Sequence, residues 1–168
     1  MLLLFAGETT TNLIASGLLA LSTHPDQLRC LGLAPEVLTP NAVEEVLRYD
    51  SPVQMVMRFC TRDTHLGGMA VPGGAVVLVL IGAANRDPAQ FHAPDSFDIA
   101  RYPNKHVAFG DGIHACIGAY LARLQGRIVF GSVVKRFPRL RLSAPNQPLQ
   151  YGGYLLSRGL TSLPMLID

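Results

Sequence analysis

Charge is scarce in this chain: Asp, Glu, Lys and Arg make up 15% of 168 residues, against about a quarter in ordinary globular domains. The net charge is only +2 and no five like charges run together, which argues against nucleic acid or another polyanion as partner. Paired cysteines are missing too. Cys30, Cys60 and Cys116 are odd in number and share no paired spacing, which argues against a disulfide scaffold, and a reducing cytoplasm is expected. The apolar start, residues 1–6, has no basic stretch before it and meets Glu8 soon after, unlike a secretory signal. The uncharged run 67–85 is broken by Pro72, Gly73 and Gly74 and its valines favour a strand, so no membrane span is expected. No internal repeat or low-complexity stretch occurs.

What the chain does have is apolar material, 49% by composition, enough for one domain with a real core. Low charge beside this content implies surface that expects a partner or a covering segment. Over residues 1–23, Leu13, Ile14, Leu18 and Leu21 form a helical stripe with Gly17 on the same face. No cap precedes it, and the expectation is a chain that starts inside an element. Pro25 opens a short helix, and Thr39 with Pro40 marks the start of another running to Tyr49. After Pro52 the period becomes two, predicting strands over 55–61 and 76–81, with shorter ones over 64–71 broken by Gly67 and Gly68. Residues 85–104 read as loop with one helical turn after Asp87. A long helix follows, one face marked by Ile117, Leu121, Leu124 and Ile128, ending near Phe137, and short strands close the chain. The fold class is mainly α with a small β region (α+β).

Residues 109–118, FGDGIHACIG, carry the most chemistry. Gly110 and Gly112 lack a Cβ, so the loop can turn sharply and press its backbone on a flat object. Cys116 stands where this loop enters a helix, where unpaired amides favour the metal-binding thiolate. A lone cysteine is more often a small buried hydrophobe. A zinc site on His114 and Cys116 fails for want of a second ligand pair at suitable spacing.

The spacing F-G-x-G-x-H-x-C-x-G, formed by Phe109, Gly110, Gly112, His114, Cys116 and Gly118, resembles the haem-binding loop of the cytochrome P-450 family. The resemblance implies heme b (iron protoporphyrin IX) with Cys116 as axial thiolate, which pushes electron density to the iron and favours O–O cleavage. It also implies that Phe109 packs beside the sulfur and His114 reaches a haem propionate.

Other segments share the likeness. Glu45 and Arg48, three apart on a helix, read by themselves as a surface ion pair worth below about 1 kcal/mol. EEVLR resembles the family's E-x-x-R motif, whose pair is buried and joined by a downstream arginine, here Arg101 at the end of FHAPDSFDIAR. The resemblance makes Glu45, Arg48 and Arg101 a structural triad holding the Cys116 loop. Arg58 reads from strand alternation as outward-facing, whereas the likeness of SPVQMVMR places it on a propionate. The ANRDP run is expected to be structural. AGETTTN, residues 6–12, resembles the oxygen-activation helix, where Glu8 and Thr9 would deliver protons. A Thr-rich cap or groove is the other reading. The family usually has one residue between glycine and acid, and this chain has none. If Glu8 and Thr9 keep register with Asn12, Phe5 falls where a small residue is expected. Gly126, where alanine is usual, should weaken its helix by roughly 1 kcal/mol. Lys105, Arg123 and Arg127 offer either a docking face for an acidic electron donor or a solvated surface.

The likeness runs from the oxygen-activation helix to the C-terminus, while a complete member is more than twice this length. It implies that residues 1–168 are the C-terminal part of a single cytochrome P-450 domain, bacterial soluble type. The implied activity is a cytoplasmic haem-thiolate monooxygenase, inserting one atom of O₂ into a small organic substrate with electrons from a ferredoxin or flavodoxin. The alternative is a truncated, non-catalytic remnant or half of a split protein, with weak or no haem binding.

Overall fold

A computed structural model describes residues 2–152 and 156–167; the side chains of residues 2–6 lie outside the description, and with them the expected crowding by Phe5. Helix α1 (Leu2–Thr23) follows the predicted stripe. Leu13, Gly17, Ala20 and Leu21 are buried, with Ile14 and Leu18 half-buried. Gly17 is required by its neighbour, because a Cβ there would stand 2.2 Å from Cζ of the fully buried Phe130.

Helices α2 (Pro25–Leu33) and α3 (Pro35–Tyr49) both begin on a proline, which loses nothing in a first turn where the N–H has no partner. The predicted start at Thr39 is corrected to Pro35, and Pro40 lies inside the helix. Two prolines offered a start and the earlier one took it. Thr39 Oγ1 donates back to the Pro35 carbonyl. Residues of α1, α2 and α3 meet Phe97, Ile99, Phe130 and Val134 in one core.

Two small ribbons follow, as the period-two pattern predicts. Strand β1 (Met55–Phe59) and strand β2 (Thr64–Leu66) come first, then β3 (Met69–Val71) and β4 (Val76–Leu80). β1 pairs antiparallel with β4, Met55 opposite Leu80, and β2 pairs with β3 across Gly67 and Gly68, whose φ angles of 55° and 84° suit glycine. Ile81 leaves the expected strand and opens the one-turn helix α4 (Ile81–Ala84), where it is buried. The turn after Asp87 is present: Phe91 N–H donates to the Asp87 carbonyl at 2.9 Å, and Ala89 N–H to Asp87 Oδ1 at 2.8 Å.

Helix α5 (Ala119–Arg136) forms as expected, yet its predicted apolar face is turned outward. Ile117 is 94% exposed just before the helix, and Leu121, Leu124 and Ile128 are exposed along it, while Gly126, Phe130 and Val134 are buried. The helix carries apolar residues on two sides, so periodicity identifies both faces without saying which is internal. Gly126 lets α5 approach α3: a Cβ there would lie 3.1 Å from Val43 Cγ2. The chain closes with β5 (Arg141–Leu142) against β8 (Met165–Leu166) and β6 (Tyr151–Gly152) against β7 (Gly159–Leu160).

Gly17→Ala is expected to lower stability in urea unfolding by about 1–3 kcal/mol, because the Phe130 ring must move. Gly32→Ala, with open space around its Cβ position, is expected to gain up to about 1 kcal/mol from helix propensity.

Candidate functional site

The site is built outward from α3. Glu45 is fully buried, and a buried carboxylate is tolerated only when its oxygens are satisfied. Arg48 donates Nε to Glu45 Oε2 and Nη2 to Oε1, both at 2.8 Å. Arg101 Nε donates at 3.2 Å, Asp98 N–H at 2.9 Å and Asn104 Nδ2 at 3.1 Å. The structure thus brings Glu45, Arg48 and Arg101 into one cluster.

The arginines then hold the loop before the cysteine. Arg48 donates to the carbonyls of Asn85, Pro94 and Ser96, and Arg101 to those of His92, Ala93 and Ser96. Ala93 has φ 44°, an uncommon left-handed conformation for a residue with a Cβ. Asn85, from ANRDP, is also buried; its Nδ2 donates to Ser51 Oγ and its Oδ1 accepts from Val107 N–H, each at 2.8 Å. Arg86 donates Nε and Nη2 to the Tyr49 carbonyl.

Glu44, the residue before Glu45, anchors the next stretch. Its carboxylate accepts from Arg123 Nε at 2.8 Å and Nη2 at 2.9 Å, and is paired with His106 Nε2 at 3.0 Å. Partial burial pushes its pKa up, but hydrogen bonds from His106 and Arg123 and the charge of Arg123 outweigh this and hold it down at about 2. Arg123 lies over the Phe109 ring, 4.5 Å from its centroid. It is therefore engaged inward, while Lys105 and Arg127 are exposed.

Beyond Phe109 the loop turns at Gly110 (φ 68°) and Gly112 (φ 70°), passes through a single 3-10 turn, Gly112–His114, and reaches Cys116 three residues before α5. Cys116 N–H donates to the Phe109 carbonyl at 2.9 Å. Gly118, the α5 N-cap, leaves its Cβ position 3.8 Å from Cys116 Sγ. Cys116 is exposed, as are Ile113 and Ile117 on either side of it in sequence and Leu121 and Leu124 on α5.

The remaining predicted residues stand apart. Arg58 is exposed on β1, where its Nη1 donates to the Met57 carbonyl. His114 is exposed in the 3-10 turn. Among the described residues no hydrogen bond or ion pair joins the two. Glu8 and Thr9 are half-buried on α1, and Ser157 Oγ donates to Glu8 Oε1 at 2.9 Å. An exposed thiol between the glycine turn and the start of α5 is open to a metal-carrying ligand from outside the core. Sequence reasoning passed over Glu44, His106, Asn104 and Ser157. The doublet EE was the available signal for Glu44, since adjacent helical residues point in different directions.

The chain is similar to known proteins over nearly its whole length. The family model described as Cytochrome P450 matches residues 37–158. The chain is 48% identical over 166 residues to Cytochrome P450 107B1 of Saccharopolyspora erythraea, covering 98% of this chain and 41% of that protein. It is 43% identical to 6-deoxyerythronolide B hydroxylase of the same organism, covering all of this chain and 42% of the relative. The crystal structure of P450BioI in complex with an acyl carrier protein ligated to hexadec-9Z-enoic acid superposes with a TM-score of 0.94 at 43% identity, over 99% of this chain and 43% of that one. The chain thus spans about two fifths of the length of the curated relatives it matches.

Because folding holds the Glu44 pKa below its ordinary 4.5, its contribution to stability is complete above that value and is lost as pH falls through about 2. Acid unfolding followed by circular dichroism should show Glu44→Gln less stable than the natural chain at pH 7, by on the order of 2–3 kcal/mol, with the gap closing near pH 2.

Proposed function

The chain belongs to the cytochrome P450 family, and from that membership we propose that it is the iron-ligating C-terminal portion of a haem-thiolate monooxygenase. The observation that carries this reading is the exposed Cys116 on a glycine loop whose preceding stretch is tied to α3 by buried ionic contacts. Haem, when bound, supplies the iron at which oxygen is activated.

The chain's own residues have the other tasks. Cys116 offers its sulfur as thiolate. Its amide is already engaged with the Phe109 carbonyl, so the residue is oriented before any ligand arrives. Gly110, Gly112 and Gly118 carry no side chain, so the loop backbone would be free to approach a flat macrocycle. Arg58 and His114 would hold the haem carboxylates, the arginine through its fork of N–H donors. Glu8 holds a proton at its carboxyl oxygens and Thr9 at its hydroxyl, and together they move protons toward the site. Ser157 donates to Glu8 Oε1 and so orients that carboxyl group.

The triad Glu45, Arg48 and Arg101 maintains the loop and touches no substrate. The electron donor is a ferredoxin or flavodoxin, and the substrate is a small organic molecule. P450BioI is seen with an acyl carrier protein, a mode of presentation that belongs to that protein. Among the described residues no helix is long and apolar enough to cross a membrane. Free Cys30 and Cys60 support a reducing cytoplasm as the setting.

Reduced with dithionite and exposed to CO after haemin loading, the chain is expected to show a thiolate-type Soret band. Cys116→Ser should abolish that band, and Cys30→Ser and Cys60→Ser should retain it. Equal spectra from all three variants would remove Cys116 from its role.

A further inference from the structure

Building on the haem-thiolate reading, we propose that Arg123, fixed by Glu44 and His106, is a positioning residue for the Cys116 loop. The first ground is geometric commitment. Two separate guanidinium nitrogens reach the two oxygens of Glu44, at 2.8 and 2.9 Å, an arrangement that fixes the plane of the arginine as well as its distance. A lysine at this position would supply a point charge and no plane.

The second ground is that the anchor is itself held. The His106 side chain is only 3% exposed. Ala108 N–H donates to His106 Nδ1 at 3.2 Å, which leaves Nε2 as the nitrogen carrying a proton toward Glu44 Oε2. Glu44 therefore accepts hydrogen bonds from α5 and from the loop at once, and its own helix is set in the core by Val43, Val46 and Leu47.

The third ground is continuity to the sulfur. The fixed guanidinium covers the Phe109 ring at 4.5 Å, within the range of a cation–π contact. Phe109 packs on the core cluster, and its carbonyl receives the Cys116 N–H at 2.9 Å. The ring cannot tilt freely while Arg123 lies over it, and the carbonyl that holds Cys116 belongs to the same residue. Arg123 thus acts on Cys116 through Phe109.

The test uses the full chain in two measurements. In the haem-free protein, hydrogen exchange is followed by NMR at the Cys116 and Ala108 amides. Arg123→Gln is expected to accelerate both by about tenfold through local opening, with α1 core amides unchanged. Arg123→Lys should recover only part of the protection, and Arg127→Gln should exchange like the natural chain. In the haem-loaded protein, Arg123→Gln should lose part of the thiolate-type CO band without a matching fall in melting temperature. A residue serving general packing alone would not give that signature. Natural exchange at Cys116 in Arg123→Gln would overturn the proposal. If Arg123→Gln does not fold, Phe109→Leu replaces it, and natural exchange at Cys116 in that variant would overturn the proposal equally. Should the natural chain take up haem with no thiolate-type band, the haem-thiolate reading fails, and the exchange rates still decide the positioning role.

Discussion

The Glu45 carboxylate, buried completely on α3, is the constraint on which the functional half of this molecule depends. Removing a carboxylate from water costs several kcal/mol unless charge and hydrogen bonds replace the solvent. Here the replacement comes from Arg48 on the same helix and from Arg101, Asp98 and Asn104 on the loop. A buried anion of this kind selects one path for the loop, because most other paths would leave it, or the arginines, without partners. Glu44 applies the same logic on the adjoining side of α3, through Arg123 and His106. Two successive residues therefore secure the chain on both sides of Cys116, Glu45 the stretch before it and Glu44 both His106 and α5 beyond it.

What this anchoring delivers is an exposed thiol with a defined backbone. The glycines at positive φ make the turn, the Phe109 carbonyl holds the Cys116 amide, and α5 begins immediately beyond. Cys116 is exposed, and so are Ile113 and Ile117, the apolar residues that flank it in sequence. In a member of the cytochrome P450 family such a surface is suited to a flat, largely apolar cofactor.

The features legible in the sequence were those with short-range causes. The φ angles of Gly110 and Gly112 follow from a loop that must reverse within a few residues. The α1 stripe and the β1–β4 ribbon follow from local periodicity, and the Glu45–Arg48 pair from a spacing of three on a helix. The role of Arg101 was reached only through resemblance, since 56 residues separate it from Glu45. Glu44, His106 and Arg123 were missed or misjudged for the same physical reason: their partners lie 62 and 79 residues away, where no local pattern reports them. Ile117, Leu121, Leu124 and Ile128 make as regular a stripe as the buried side of α5, so the local pattern marks a face without saying that it is exposed. Small side chains at Gly17 and Gly126, opposite Phe130 and Val43, decide which stripe enters the core.

The central claim is that a buried carboxylate, not a surface ion pair, organises the approach to Cys116. Denaturant unfolding of Glu45→Gln, which keeps the shape and removes the charge, tests it most directly. A loss of about 3–5 kcal/mol is predicted, the cost of leaving Arg48 and Arg101 without their counter-charge. A loss below about 1 kcal/mol, the ordinary worth of an exposed pair, would contradict it.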